Sequence, residues 1–340
     1  MSQTLVNLIL SKNVKDVGQQ GDVVKVPPGY ARSFLLPRKL AVPATEAVPA
    51  DAERDAVALT STLSSEAAAG SLAASPPVPP TLPGGRSKVF EDNSFLVAYY
   101  GTAQTGSLGV LGERSPARTM PRLLGEARKF RRPGVRIQPV FELIVTVADG
   151  YPGGDGNFNH DIPRRYVRDY IAAAHRYGAL LILDVQPGRQ RFPEVVKRWE
   201  WALRDPWVGL AVDPEWRMGP HQVPGRVFGS VSAVELNQTA AWLSGLVARN
   251  GLPEKVFMIH QFRTDMIPGI ARVRGRANLA MVQHVDGFGP PGAKLGTYHA
   301  VAHPDLFTMG FKLFYDEDRP RMSAARVLQI RPRVRFVSFQ

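Results

Sequence analysis

Residues 179–185 read ALLILDV, an apolar run interrupted only by Asp184 just before its end. A run of this length with no polar face is what a strand buried on both sides requires, as in a parallel sheet covered by helices. The same form recurs as FLVAYYG (95–101), IQPVFELIVTVA (137–148), VGLAVD (208–213), KVFMIHQF (255–262), LAMVQHVDGF (279–288), FKLFYD (311–316) and RFVSF (335–339). Between these runs, Phe192, Val195, Val196, Trp199 and Leu203 repeat at helix-face spacing, as do Tyr166, Tyr170, Ala174 and Tyr177. Strands alternating with helices over residues 93–340 predict an α/β domain of the (β/α)8 TIM-like barrel type. A doubly wound open sheet is the alternative, because strand counting does not distinguish the two.

In a (β/α)8 barrel the chemistry lies at the C-terminal ends of the strands. Glu142 lies in FELI, Asp184 ends LILDV, Asp213 and Glu215 stand in VDPEWRMGP, and His284 and Asp286 end VQHVDGF. His260 and Gln261 end VFMIHQF, and Tyr315 and Asp316 end KLFYD. Residues two apart on a strand share a face, so Asp213 with Glu215, and His284 with Asp286, are expected to point together into the mouth. Paired carboxylates, one protonated and one ionised, are the requirement of glycoside hydrolysis. Glu142, Asp184, Asp213, Glu215 and Asp286 are therefore the catalytic candidates. Tyr100, Trp216, His260, Gln261, His284, Tyr315 and Asp316 are the substrate-binding candidates, with the Tyr100 and Trp216 rings offering faces for a sugar. The competing reading is structural, with the acids capping loops or pairing with Arg189 and Arg217.

Metal chemistry is disfavoured. His260, His284 and Asp286 offer a mixed nitrogen and oxygen set, but no HExxH or other compact ligand motif accompanies them. Asp155, Asn157, Asn159 and Asp161 imitate the start of a calcium loop without its glycine or closing glutamate, which favours a substrate loop. Gly101, Gly106, Gly109 and Gly112 fit neither phosphate-binding fingerprint, which favours loop flexibility. No GxSxG elbow is present, which disfavours an α/β-hydrolase. No metal or cofactor is expected.

The chain before the barrel is of another kind. Ser64 to Gly85, ending in SPPVPPTLPGG, is Ala, Ser, Pro and Gly with almost no large apolar residue, the composition of a semi-stiff solvated linker. A helix-prone Ala/Glu/Asp stretch precedes it, and together these give residues 47–92 as a connecting segment between a domain at 1–46 and a barrel at 93–340. Within 1–46, LVNLIL (5–10) and DVVKV (22–26) are β-prone runs about a polar turn, which suggests a hairpin. Pro27-Pro28-Gly29 makes a turn, Tyr30 to Leu36 a short helix stopped by Pro37, and Leu40 to Val42 a last strand.

The chain has 340 residues, with 42 Lys+Arg against 30 Asp+Glu and a net charge of +12, which favours anionic partners. Cysteine is absent, which excludes disulfides, thiolate metal sites and thiol nucleophiles. The opening MSQTLVNLILSKNVKDVG has no basic n-region and only a short apolar stretch, so neither a signal peptide nor a membrane span is expected, and the chain as written is expected in the cytoplasm.

The spacing Gly18-x2-Gly21-x4-Val26-x2-Gly29-Tyr30-x2-Ser33-Phe34-Leu35, continuing to Ala41 and Thr45, resembles the N-terminal domain of bacterial large-subunit ribosomal protein L-nine, over about residues 5–46. Independently of that family, glycines at a hairpin tip let backbone N–H groups approach phosphates, and Lys12, Lys15, Lys25, Arg32, Arg38 and Lys39 supply charge. The resemblance implies a small α+β module that binds large-subunit rRNA and the ribosome through Lys12, Lys15, Gly18, Gly21, Lys25, Gly29, Tyr30, Arg32, Ser33, Phe34, Arg38 and Lys39. Ser33 stands where the family usually has Asn, Lys39 where it commonly has Gly, and the family's connecting helix and second domain are replaced by the linker and barrel.

The barrel portion in turn resembles, in QPGR (186–189), DPEWRMGP (213–220), HQF (260–262), HVDGFG (284–289) and GFKLFYDED (310–318), an uncharacterised actinobacterial family of secreted or lipoprotein-type barrels with a glycosidase-like fold. That resemblance implies an exported origin for this part and a glycosidase-like fold without an established reaction; a carbohydrate substrate is the expectation from the paired carboxylates.

Overall fold

The computed structural model describes residues 6–10, 22–26, 40–43 and 79–340, and the chain divides into two units between Ala73 and Ala74. In the first unit, β1 (Val6–Leu10), β2 (Val23–Val26) and β3 (Ala41–Pro43) form an antiparallel sheet in the order β2-β1-β3. Val6 pairs with Val26 and Ile9 with Val23, while Leu10 pairs with Ala41. Leu8 and Leu10, two apart on β1, are buried together with Ala41. Lys25 lies on β2 opposite Asn7. The other residues assigned to RNA binding, Lys12, Lys15, Gly18, Gly21, Gly29, Tyr30, Arg32, Ser33, Phe34, Arg38 and Lys39, lie outside the described residues, as does the expected helix at 30–36.

The second unit is a closed ring of eight parallel strands: β4 (Phe95–Gly101), β5 (Ile137–Ala148), β7 (Leu180–Val185), β8 (Val208–Val212), β9 (Lys255–Gln261), β10 (Leu279–Val285), β11 (Thr308–Leu313) and β12 (Val334–Phe339). Each pairs with its successor, and β12 returns to β4. The open-sheet alternative is thereby excluded. A short β6 (Asn159–Asp161) pairs antiparallel with the end of β5 outside the ring. The helices are α1 (Pro116–Arg128), α2 (Arg164–Tyr177), α3 (Phe192–Val195), α4 (Glu200–Leu203), α5 (Ala233–Arg249), α6 (Pro291–Val301) and α7 (Ala324–Leu328).

Period-two alternation sorts each strand into two faces. The outward residues, such as Phe95, Val97 and Tyr99 on β4 and Leu181 and Leu183 on β7, join the helix layer in the main core. Phe192, Val195, Val196, Trp199 and Leu203 pack there without exposure, as their spacing implied, and the Trp199 indole N–H donates to Thr146 Oγ1 at 2.9 Å. Inward residues fill the lower barrel with Leu96, Ala98, Val140, Leu180, Ile182, Ala211, Val256, Met258, Ala280, Val282 and Phe336.

The lower end of the barrel is closed by chain that precedes β4. Leu82 and Val89 join the interior cluster, and buried Arg86 donates to Pro83 O, Val89 O, Ser94 Oγ and Gln138 Oε1. The Trp207 indole donates to Thr81 O, and Glu254 accepts from Val89 N. The last part of the stretch that composition marks as solvated linker is therefore packed. Its single large apolar residue, Leu82, is held by a bridge to Arg86 and is 2% exposed.

Candidate active site at the barrel mouth

The inward positions change from apolar to polar toward the strand ends. Tyr100 on β4, Glu142 on β5, Asp184 on β7, His260 on β9, His284 on β10 and Lys312 on β11 are buried, and Asp213 and Asp286 follow β8 and β10 directly. Glu215 sits in the single turn Pro214–Trp216, whose first N–H groups are organised by Asp213: its Oδ1 accepts from Glu215 N at 3.1 Å. Above this floor lies a cavity of about 350 Å³, lined by Tyr100, Gln186, Asp213, Glu215, Asp286, Lys312, Glu317 and Gln340, with Trp216, Phe228, Phe262, Phe288 and Phe314 as aromatic walls.

A ladder of charged groups runs from the cavity into the barrel. Asp286 Oδ2 lies 2.9 Å from His260 Nδ1, and His260 Nε2 lies 2.9 Å from Glu142 Oε1. Glu142 Oε1 is 3.6 Å from His284 Nδ1, and His284 Nε2 is 3.1 Å from Ser338 Oγ. His284 fits because Gly310 faces it on β11; a Cβ there would meet His284 Cδ2 at 3.0 Å. To one side, the Tyr100 hydroxyl donates to Asp184 Oδ2 at 2.8 Å. The Lys312 ammonium lies 3.5 Å from the Tyr100 ring centroid, 3.7 Å from Asp286 Oδ2 and 3.2 Å from Gln340 Oε1.

These surroundings drive the acids in opposite directions. Burial, reinforced by the charge of Asp286, pushes Glu215 up to about 7. Burial pushes Asp184 up to about 6 against the pull of His260, and burial together with Asp184 and Glu215 holds Asp213 well above the carboxylate range. Burial acts on Asp286 too, but the hydrogen bond and charge of His260 outweigh it and lower its pKa. Glu142 likewise stays low despite complete burial because His284 and His260 flank it. His260 is raised, the two carboxylates overcoming burial and Lys312, while burial lowers His284. The floor thus offers protonated and ionised carboxyls side by side.

Two sets of donors among the described residues have metal-ligand proximity, Glu142–His260–His284 and Asp213–His260–Asp286, each with its atoms within 4.8 Å. Both nitrogens of His260 already face carboxylate oxygens, and Lys312 stands beside Asp286. That arrangement suits an imidazolium ladder better than a cation. The calcium-like residues are dispersed: Asp155 accepts from Asn157 N, Asn159 donates to Pro187 O, and Asp161 contacts Thr146 and Arg198.

Of the sequence-derived candidates, Asp213, Glu215, Asp286, Tyr100 and Trp216 line the cavity, while Glu142, Asp184, His260 and His284 lie beneath it. Three belong elsewhere. Gln261 follows inward His260 and so faces outward, where it accepts from Gln283 Nε2 at 2.7 Å. Tyr315 is on the outer side, 3.2 Å from the Tyr99 hydroxyl and beneath Arg321. Asp316 is exposed beyond the strand end. Arg217 pairs with Glu235 and Arg189 stacks on Phe158, so neither neutralises the mouth carboxylates. The glycines after β4 serve close packing rather than looseness: Gly109 has φ +129° and a Cβ there would lie 2.5 Å from Tyr100 O. Sequence reading missed Lys312, Gln186, Glu317 and Gln340 together with the four phenylalanines of the wall. A lysine inside the apolar β11 run was the one available signal.

No helix among the described residues is long and apolar enough to cross a membrane. Residues 6–50 match the family described as "Ribosomal protein L9, N-terminal domain". Similar proteins include "Large ribosomal subunit protein bL9" of Trichlorobacter lovleyi, 58% identical over 41 residues, or 12% of this chain and 28% of that protein. The protein of the same name from Bdellovibrio bacteriovorus is also 58% identical over 41 residues, with the same shares. "Large ribosomal subunit protein bL9c" of Pyropia yezoensis is 44% identical over 48 residues, or 14% of this chain and 31% of that protein. The chain thus spans under a third of the length of these relatives; it carries a segment similar to the ribosomal protein L9 N-terminal domain and, in its second unit, a closed eight-stranded parallel barrel.

Proposed function

We propose that the N-terminal module attaches this chain to large-subunit ribosomal RNA. The observation that carries this reading is the identity of 44–58% to large-subunit proteins over the segment that holds Gly18, Gly21 and the basic stretch from Gly29 to Lys39. A short β-ribbon whose connecting sequence holds Gly18 and Gly21 among Lys and Arg suits phosphate and shape recognition of folded RNA. The full-length chain is expected to co-sediment with purified large subunits, and Lys25→Glu/Arg32→Glu/Lys39→Glu to release it. A wild-type chain that stays in the supernatant at low salt refutes the reading.

A second reading concerns the barrel and rests on one cavity lined by Glu215, with its proton retained to about pH 7, and Asp286, held ionised. It is an acid–base site for a carbohydrate, the substrate class that a protonated and an ionised carboxyl side by side suit. Glu215 donates its proton to the leaving glycosidic oxygen, and Asp286 acts as nucleophile or as base toward water. Glu142 acts through His260, by keeping it charged beside Asp286. Aromatic walls supply the stacking surface for sugar rings. A glycan panel assayed with wild type and Glu215→Gln tests this; equal turnover by both would remove Glu215 from the mechanism.

A further inference from the structure

Some arginines of the barrel surface pair with acids: Arg122 with Glu113, Arg204 with Glu200, Arg263 with Asp265. In one sector six arginines gather without such a partner. The loop between α1 and β5 carries Arg131, Arg132 and Arg136, and the chain entering β12 carries Arg331, Arg333 and Arg335. Because β12, β4 and β5 are neighbours, both segments lie at the N-terminal end of the barrel, opposite the mouth. Asn93 ties them together, accepting from Arg333 Nη2 at 3.0 Å and donating to Gly134 O at 3.1 Å.

Among the described residues no carboxylate lies within ion-pair distance of any of these six arginines. Burial and the charges of Arg333 and Arg331 weigh against the Arg132 cation, and burial and Arg333 against Arg335. Arg132 Nη2 and Arg335 Nε are closed off from solvent without an acceptor. Positive charges gathered without counter-charge are stabilised by an anion that spans them.

We propose that this arginine sector is a binding surface for the phosphate backbone of structured RNA. Guanidinium forks match phosphate oxygens. A membrane surface fits less well, because none of the exposed large apolar side chains (Leu124, Tyr151, Val227, Phe228, Val234, Phe288) belongs to either segment. The lack of an exposed ring there also removes the platform for unpaired bases. The inference is independent of whether the N-terminal module binds RNA.

The test uses the full-length chain and a fluorescein-labelled RNA hairpin, with anisotropy measured over a salt series. Arg131→Glu/Arg333→Glu is made in the wild type and in the Lys25→Glu/Arg32→Glu/Lys39→Glu background. In that background the remaining affinity is expected to fall about ten-fold further. The salt slope is expected to drop by about 1.5, because two fewer phosphates are neutralised. Arg131→Lys/Arg333→Lys is expected to keep most of the binding. Ultraviolet crosslinking of the unmodified protein to the same hairpin, which needs no substitution, is expected to label peptides 129–136 and 329–335. Unchanged affinity and slope overturn the proposal, as do crosslinks confined to residues 1–50 or retention on phosphatidylglycerol vesicles in place of RNA.

Discussion

Asp184→Asn should stabilise the protein above about pH 6 and leave it nearly unchanged near pH 4. Asp184 is fully buried, its Oδ2 accepts from Tyr100, and its Oδ1 has no partner. Its carboxyl titrates near 6 in the fold against an ordinary value of 3.8. Between those values the folded state holds a proton that the unfolded state has released. The wild type therefore loses stability as pH rises from about 4 to about 6 and stays at the lower level above that. The interval of 2.2 pH units, at about 1.4 kcal/mol each, gives about 3 kcal/mol. Asparagine keeps the acceptor for Tyr100 and does not titrate. Urea denaturation of both proteins at pH 4 and pH 7.5 should give a difference that grows to about 3 kcal/mol, or about 6 °C or more in melting temperature. A difference that does not change with pH, or a variant weaker at pH 7.5, would refute the assignment of burial as the dominant influence.

Lys255 is buried and donates to Asp205 O and Val208 O, and burial lowers it to about 7. The fold binds fewer protons than the unfolded chain between pH 7 and 10, so wild-type stability should rise across that interval, and Lys255→Met should abolish the rise in denaturation curves. Gly109→Ala should destabilise the barrel by about 1–3 kcal/mol and, by displacing the Tyr100 carbonyl, weaken any ligand of the mouth; calorimetric melting with ligand titration checks both. If the barrel hydrolyses a glycan, activity should fall as pH rises through about 7, where Glu215 loses its proton, and Glu215→Gln should lower kcat by at least about 100-fold; a pH–rate profile flat to pH 9 would contradict the assignment. Trp199→Ala should cost about 3–5 kcal/mol by emptying a site without exposure in the helix layer, measured by urea denaturation.

The ring of strands was legible because each is apolar on both faces, and seven runs coincide with the strands to within a few residues at either end. FKLFYD was read late: β11 begins at Thr308, and Gly310, which looks like a break, is the position that makes room for His284. The mouth acids were visible as charges in apolar runs, but Gln261 and Tyr315 show the limit of reading strand ends as one patch. Alternation already forbids His260 and Gln261 from sharing a face. Lys312 and the aromatic wall depend on loops brought together by ring closure, which no local spacing announces. The order of the ladder from Asp286 to Ser338 likewise follows from register between strands far apart in sequence.

The plug at the lower end bears on how the barrel can be dissected. A chain starting at Asn93, where the first strand of the barrel is about to begin, would contain every strand and α-helix of the ring yet lack Leu82, Arg86 and Val89. Gln138 would then lose its guanidinium partner, and Leu96, Val140 and Val256 would face water through an open base. The smallest autonomous folding unit is therefore longer than the repeating pattern that identifies it, and it includes residues whose composition advertises a tether.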